Sequence, residues 1–358
     1  MDTVVLLVGF VGAIALLIVI HELGHFLASR LLGVEVEEFG IGFPPRLVSL
    51  FTWRGTIFSL NWIPLGGFVR PKGENDPNVA GGLAAASPWV RLVVLIAGPF
   101  ANFLAAALIF ALIFSQLGRP VLGKVEILDV ADNSPAEAAG LQIGDLVISV
   151  DGQSVDTTND LAEIVNTHLG ESILLEYERD GVVGPTSLTP RVNPPEGQGA
   201  IGIVMTLQVL EREPIPLQEA VLLGGTAVIG QSQAILTLPI ELIRGNVSPD
   251  QGRLVGYKGM YDIYAGQVQA DQDVNAPGVG INVLAFFGSI SVSLGLLNLM
   301  PIPALDGGRI LFTLPEIVIG RRIPQEFENT VNLIGFALLI MLMIYVNLQD
   351  FLNPLTLP

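Results

Sequence analysis

A short run near the start of the chain has the residue types and spacing of a metal-dependent hydrolase site. In His21-Glu22-Leu23-Gly24-His25 the imidazoles stand at positions i and i+4, so on a helix they share one face and can bind one Zn²⁺. The glutamate between them is placed to exchange a proton with a nearby water. The run follows the apolar stretch Val4–Ile20. Ionisable groups at membrane depth favour a functional site over a polar helix end at the bilayer surface.

A catalytic zinc needs a third protein ligand and an open position. The chain has no cysteine, and its third histidine, His168, lies in an acidic region expected outside the membrane. A carboxylate is therefore expected, and Asp306 is the best candidate because it follows an apolar run in a segment rich in proline and glycine. Such a segment can bend toward a metal. Alternatively, Asp-Gly-Gly is an ordinary turn or helix-start signal.

The composition is that of a membrane protein with one solvated region. Of 358 residues, 51% are apolar and only 14% are charged. The formal net charge is −17, and residues 119 to 280 hold 8 basic against 22 acidic residues. This balance argues against nucleic-acid binding and indicates an acidic domain inserted into an apolar chain.

Four apolar runs are long enough to cross a bilayer. They are Val4–Ile20 with its continuation to Leu32, Leu92–Leu117, Val279–Leu299 and Val331–Leu348. A cleaved signal peptide is the alternative for the first run, but a basic start and a cleavage site are lacking. The segment Leu217–Pro239 contains several polar residues and is predicted to be an interfacial amphipathic helix rather than a fifth span.

Nine of the 17 Lys and Arg residues fall in the two short loops of this four-span arrangement, and the two terminal tails carry none. Loops rich in Lys and Arg are cytoplasmic, so both termini and the acidic region are expected outside and the metal motif near the cytoplasmic side. The basic residues are Arg30, Arg46, Arg54, Arg70, Lys72 and Arg91 in one loop and Arg309, Arg321 and Arg322 in the other.

Two regions between the spans carry strand patterns. Val34–Val69 is rich in β-branched and aromatic residues with glycines and prolines, which predicts β-hairpins lying against the membrane. In the acidic region, strands are predicted at Leu122–Val130, Leu146–Val150 and Ser172–Arg179. A helix is predicted at Asn159–His168, which gives a small α/β domain.

Nearly the whole chain resembles the site-two protease family, the zinc metalloproteases of regulated intramembrane proteolysis, in the bacterial type with an inserted PDZ domain. The motifs that carry this resemblance are His21–His25, Gly40-Ile41-Gly42-Phe43, Gly66-Gly67-Phe68-Val69, Ala97-Gly98-Pro99-Phe100-Ala101-Asn102 and Asn298–Gly308.

The resemblance implies one Zn²⁺ held by His21, His25 and Asp306. It implies Glu22 as catalytic base and acid and Asn298 as a helper beside the substrate. Substrate contacts are expected from Gly66, Gly67, Phe68 and Asn102.

Ser134–Leu141 together with Ile143–Gly152 is similar to the PDZ domains of bacterial proteases. Such domains add a peptide strand to a sheet edge beside a helix, although a purely steric role is equally compatible with the sequence. Family members carry a Gly-Pro-rich segment after this domain. Arg253–Gly266 is instead rich in Gly and Tyr without proline, so no role is carried over to residues 246–266.

The predicted fold is a multi-pass α-helical membrane protein of about four spans, with a membrane-associated β-hairpin loop and an inserted α/β PDZ domain. Its parts are residues 1–118 (spans 1 and 2 with the β-rich loop 34–70), 119–207 (PDZ domain), 208–278 (linker with the interfacial helix) and 279–358 (spans 3 and 4).

The resemblance implies cleavage of the transmembrane segments of other proteins, such as anti-sigma factors or signal-peptide remnants, after trimming by another protease. The enzyme is expected in the bacterial inner membrane. One alternative is a PDZ-containing chaperone or scaffold with a non-catalytic metal site, but a structural zinc usually has four protein ligands. A metal transporter would carry further ionisable residues within its spans.

Overall fold

The computed structural model describes residues 3–74, 76–195, 197–244, 252–273 and 280–354. The chain forms two compact units, Met1–Gln116 with Pro216–Pro358 and Leu117–Ile215. The predicted linker 208–278 and the start of the predicted third span include positions outside the described residues.

The first unit is mainly helical. Its helices are α1 (Thr3–Leu31), α2 (Pro88–Leu117), α5 (Leu217–Arg244), α6 (Tyr257–Asp273), α7 (Ile281–Leu299), α8 (Asp306–Ile319) and α9 (Gln325–Leu352). Helix α1 ends where Gly33 takes a left-handed conformation (φ 80°), and the amide of Val34 then donates back to the carbonyl of Ser29 at 2.8 Å.

Within the described part of the chain, five helices are long and apolar enough to cross a membrane: α1, α2, α5, α7 and α9. Four contain the predicted spans, and the fifth is the segment predicted to be interfacial. Helix α5 packs closely on α2, because a Cβ at Gly224 would lie 2.3 Å from the carbonyl oxygen of Ala107. The multi-pass helical membrane architecture is confirmed, whereas the number of crossings stays a prediction.

Two helices in this unit were not expected from the sequence. Helix α8 occupies most of the second basic loop, where only an Asp-Gly-Gly turn was foreseen. Helix α6 occupies the Gly- and Tyr-rich stretch, and Asp350 of α9 accepts hydrogen bonds from the amides of Gly256 (2.8 Å) and Gly259 (3.0 Å) at its start. A cap supplied 91 to 94 residues away has no local sequence signature.

The β-rich loop forms one antiparallel hairpin of two long strands, β1 (Val36–Trp53) and β2 (Thr56–Pro71). The strands bend so that residues 38–41 of β1 pair on both sides, with 57–60 and with 67–70 of β2. Residues 67–71 therefore form one outer edge of this small sheet.

The second unit is a six-stranded sheet with two helices. The strands are β3 (Arg119–Val130), β4 (Leu146–Val150), β5 (Gln153–Ser154), β6 (Ile173–Arg179), β7 (Val182–Leu188) and β8 (Ile203–Glu213), in the spatial order β7-β6-β4-β3-β8 with β5 beside β4. The helices are α3 (Pro135–Ala138) and α4 (Thr158–Thr167). The predicted strands and helix of this region are confirmed to within three residues.

Candidate metal centre

The two histidines of the short motif lie one turn apart on α1 and face Asp306 at the start of α8. Their Nε2 atoms are 3.2 Å apart and lie 3.1 Å (His21) and 3.3 Å (His25) from Oδ2 of Asp306. Among the described residues, these three side chains form the one group of His, Cys, Asp or Glu donors close enough to share a metal ion.

The donor geometry fits zinc. Ligands at the usual zinc distance of about 2.0–2.1 Å in a tetrahedral arrangement lie roughly 3.3–3.4 Å from one another, close to the three distances observed. Oδ2 of Asp306 is buried and forms no hydrogen bond of good geometry within the described chain. A buried anionic oxygen in that state is costly unless a cation binds it.

The backbone of α2 fixes the ring of His25. Its Nδ1 donates to the carbonyl of Val94 at 2.8 Å, which leaves the lone pair of Nε2 directed at the metal position. The ring lies directly on Gly98, where an added Cβ would come within 2.2 Å of Nε2. At Gly24 a Cβ would come within 2.2 Å of the carbonyl oxygen of Ala97. These two glycines allow α1 and α2 to approach closely enough for the histidine to reach the site.

Glu22 lies beside the donor group without belonging to it. Its Oε2 accepts a hydrogen bond from the backbone amide of Val69 at 3.0 Å. This amide belongs to the outer edge of the hairpin, residues 67–71, so the sheet edge and the carboxylate meet at the site.

The donor group opens into a cavity of about 380 Å³. Four of the residues predicted to lie at the substrate line it, namely Gly67, Phe68, Asn102 and Asn298, and their contact with substrate stays a prediction. Gly66 does not line the cavity. It lies under the ring of Phe43, whose nearest carbon would be 2.8 Å from a Cβ added at Gly66.

Two of the predicted residues are engaged by other groups. The amide of Asn298 donates to the carbonyl of Leu294 in its own helix at 3.0 Å. Asn102 is buried, and its Nδ2 lies 3.3 Å from Nδ1 of His21.

The inner wall of the cavity includes an ion pair that the sequence did not suggest, between Arg309 of α8 and Glu74. Glu316, another acidic residue of α8, pairs with Arg91 and lies outside the donor group. His168 is in the second unit, where its Nδ1 lies 2.8 Å from the carbonyl of Ile164. The Val94 carbonyl and the Val69 amide are backbone groups, so no residue type could have indicated them.

Two histidines on an apolar helix of spanning length, an aspartate at the start of α8 and a glutamate outside the donor set are together the groups of a membrane metalloprotease. The comparisons agree with this class. The sequence profile of peptidase family M50 matches residues 9–342. The chain belongs to this family, the site-two proteases, and its cofactor is zinc.

Individual relatives are similar over nearly their full length. A protein of Clostridium acetobutylicum whose name describes a zinc metalloprotease is 31% identical over 351 residues, covering 96% of both chains. Zinc metalloprotease RasP of Geobacillus kaustophilus is 28% identical and covers 98% of both. Among solved structures, a PDZ domain of an SdrC-like protein of Listeria monocytogenes is 20% identical, with a TM-score of 0.21, covering 23% of this chain and 87% of that one.

Proposed function

We propose that this metalloprotease hydrolyses peptide bonds within the membrane-spanning segments of other proteins. In this proposal His21, His25 and Asp306 hold the zinc, and Glu22 is the catalytic base and acid. The observation that carries the proposal is the meeting of three donor atoms, 3.1 to 3.3 Å apart. Two of them belong to a helix whose composition suits the bilayer interior.

Zinc held by His21, His25 and Asp306 would polarise the scissile carbonyl and make a water molecule more acidic. Glu22 removes the proton of the attacking water and returns it to the leaving nitrogen. The amide of Val69 keeps one carboxylate oxygen of Glu22 at the sheet edge and leaves the other to handle the proton.

The substrate is proposed to lie extended along residues 67–71. A membrane-spanning helix hides its carbonyls in internal hydrogen bonds, so it must unwind before cleavage. The backbone groups of this outer strand edge, apart from the Val69 amide that donates to Glu22, provide replacement hydrogen bonds for the unwound segment. Gly67 allows a close approach there, since an added Cβ would lie 3.1 Å from the carbonyl oxygen of Gly40 and 3.5 Å from Cγ of Glu22. Phe68 contributes cavity wall and Asn298 a polar group beside the scissile bond, whereas Gly66 acts indirectly through Phe43.

The second unit is proposed to be a PDZ-type domain on the extracytoplasmic side of a bacterial inner membrane. It would restrict access to substrates already trimmed by another protease, as in regulated intramembrane proteolysis. The proposed division into residues 1–118, 119–207, 208–278 and 279–358 follows from this arrangement. The acidic character of the region between α2 and α7 supports a solvated position for it.

Reconstitution with single-span substrates tests the proposal. Purified protein in lipid vesicles should cut a trimmed substrate at a bond within its apolar segment, identified by product mass. Glu22→Gln should retain about one zinc per chain and lose at least the ~10²–10⁴-fold contribution of general acid–base catalysis. Cleavage only in water-exposed loops, or full activity of Glu22→Gln, would exclude the proposed function.

A further inference from the structure

Asn102 is placed to serve the metal centre through His21. Its side chain is 1% exposed and lies against the ring nitrogen of His21 that faces away from Asp306, with Nδ2 3.3 Å from Nδ1. Its other amide atom, Oδ1, is buried and has no hydrogen-bond partner within the described residues.

If Nε2 of His21 binds the metal, Nδ1 of the same ring must carry the proton. A neutral imidazole that offers one nitrogen to a metal carries its proton on the other. Nδ1 would then be a donor and would need an acceptor, as metal-bound histidines usually have. The N–H of an amide cannot accept a hydrogen bond. Rotating the carboxamide of Asn102 by 180° exchanges Nδ2 for Oδ1, and Oδ1 can then accept from Nδ1–H of His21.

Helix α2 supports both histidines by the same spacing. Gly98 and Asn102 are four residues apart on α2, and the two histidines are four residues apart on α1. Gly98 makes space for the ring of His25, and Asn102 contacts His21. One face of α2 therefore contacts both proposed ligands.

We infer that Asn102 is a positioning residue for zinc: its Oδ1 accepts a hydrogen bond from Nδ1–H of His21 and so directs Nε2 at the metal. This inference rests on the proposed ligation by His21. It replaces the expectation that Asn102 binds substrate, because an amide held against the histidine is not available to a peptide.

Zinc retention against a chelator tests the inference without relying on activity. Asn102→Ala should release zinc about 10- to 100-fold faster or bind it correspondingly more weakly, the usual effect of losing such a partner. Asn102→Asp keeps an acceptor and should retain zinc at least as well as the wild type. The matched control is Ser291→Ala, which removes a buried hydroxyl that donates to the backbone carbonyl of Asn102 at 2.8 Å but leaves the amide side chain.

A second measurement covers the case in which a variant folds poorly. The chain has three histidines, so ¹⁵N-histidine labelling of the zinc-loaded protein gives a simple spectrum. The Nδ1–H of His21 should exchange slowly with water in the wild type. It should exchange faster in Asn102→Ala, with His25 unchanged.

The alternatives give different results. If Asn102→Ala retains zinc as well as Ser291→Ala and only KM rises, the residue contacts substrate and the inference fails, while the proposed ligands stand. If His21→Ala itself retains zinc normally, the proposed function fails instead. Rapid exchange of Nδ1–H in the zinc-loaded wild type would also overturn the inference.

Discussion

The two imidazoles of the metal centre are held by different kinds of group. The outer nitrogen of His25 donates to a backbone carbonyl, which no side-chain substitution removes, whereas that of His21 faces the side chain of Asn102. We therefore expect truncation of a side chain on α2 to remove the hydrogen-bond partner of His21 but not that of His25.

The ligand set can be tested by zinc content. Asp306→Ala removes the one anionic donor of the group, so zinc should fall from about one per chain to a small fraction, as in His21→Ala. His168→Ala is the control and should keep its zinc, because His168 bonds within α4 of the second unit. Metal analysis after gel filtration gives the result, and full occupancy in Asp306→Ala would remove Asp306 from the ligand set.

Gly98→Ala tests the close approach of α1 and α2. The new methyl group would lie 2.2 Å from Nε2 of His25, so the ring must move and zinc binding and activity should both fall by at least tenfold. Gly12→Ala makes the same change on α1, where nothing lies within 4 Å, and should behave as wild type. Equal zinc affinity in both variants would show that the ring tolerates displacement.

Helical spacing indicated the two histidines directly, whereas Asp306 was proposed from its position after an apolar run and from the resemblance to the family. The sequence could not indicate the Val94 carbonyl, the Val69 amide or the contact of Asn102 with His21. Backbone groups have no residue-specific signal, and the packing of α2 on α1 is a tertiary contact. Gly24 and Gly98 were part of recognised motifs. The reason that these positions need glycine, the close contact of α1 with α2, is seen only in the folded structure.

At the scale of elements, the hairpin is held by a buried carboxylate. Glu38 is 3% exposed and accepts hydrogen bonds from Arg46 (2.8 Å) and Ser59 (2.7 Å), with Arg70 at 3.2 Å. The hydrogen bond from Arg46 is the largest influence and lowers the pKa of Glu38 from its ordinary value of 4.5, against the opposing effect of burial. This cluster links both strands and stabilises the bend that leaves residues 67–71 at the edge.

Glu38→Gln should destabilise the hairpin by about 1.5–3 kcal/mol, the usual contribution of hydrogen bonds to a charged group. Because the folded-state pKa is lowered, the stabilisation is present above pH 4.5 and is lost as pH falls through the folded-state pKa. The difference in Tm between wild type and Glu38→Gln should therefore be constant near neutrality and shrink in acid. A difference that grows in acid would contradict this role.

The crossing pattern of the helices can be measured with fused reporters. Four crossings place a reporter near Lys72 or Arg321 in the cytoplasm and one near Asp151 outside. Were α5 a fifth crossing, the reporter at Arg321 would be external. The length of α5 alone cannot decide this, because an interfacial helix can be as long as a spanning one.

At the scale of the whole molecule, the second unit is an insertion with adjacent ends. Its first and last strands, β3 and β8, pair antiparallel, and Arg119 stands opposite Glu213. A short linker can therefore replace residues 119–213, because this range contains all the strands of the sheet and its two ends are close together.

Replacing residues 119–213 with a Gly-Ser linker tests the proposed gate. If the domain excludes bulky substrates by steric conflict, the excised enzyme should keep its zinc and cut a substrate that retains its external domain. Adding Glu22→Gln to the same excised enzyme controls for a contaminating protease. Loss of cleavage of trimmed substrates by a folded, zinc-loaded enzyme would instead show that the domain recruits substrate by strand addition.

The capping of α6 by Asp350 has a consequence for how the protein is made. Gly256 and Gly259 leave the ribosome 94 and 91 residues before their acceptor, a delay of roughly 5–20 s at ordinary rates of synthesis. All three proposed zinc donors are already synthesised by then, because Asp306 precedes Asp350. A nascent or prematurely ended chain can thus carry a complete donor set before α6 is anchored over α1 and α7. Helix α9, which supplies Asp350, therefore determines when this part of the protein is finished.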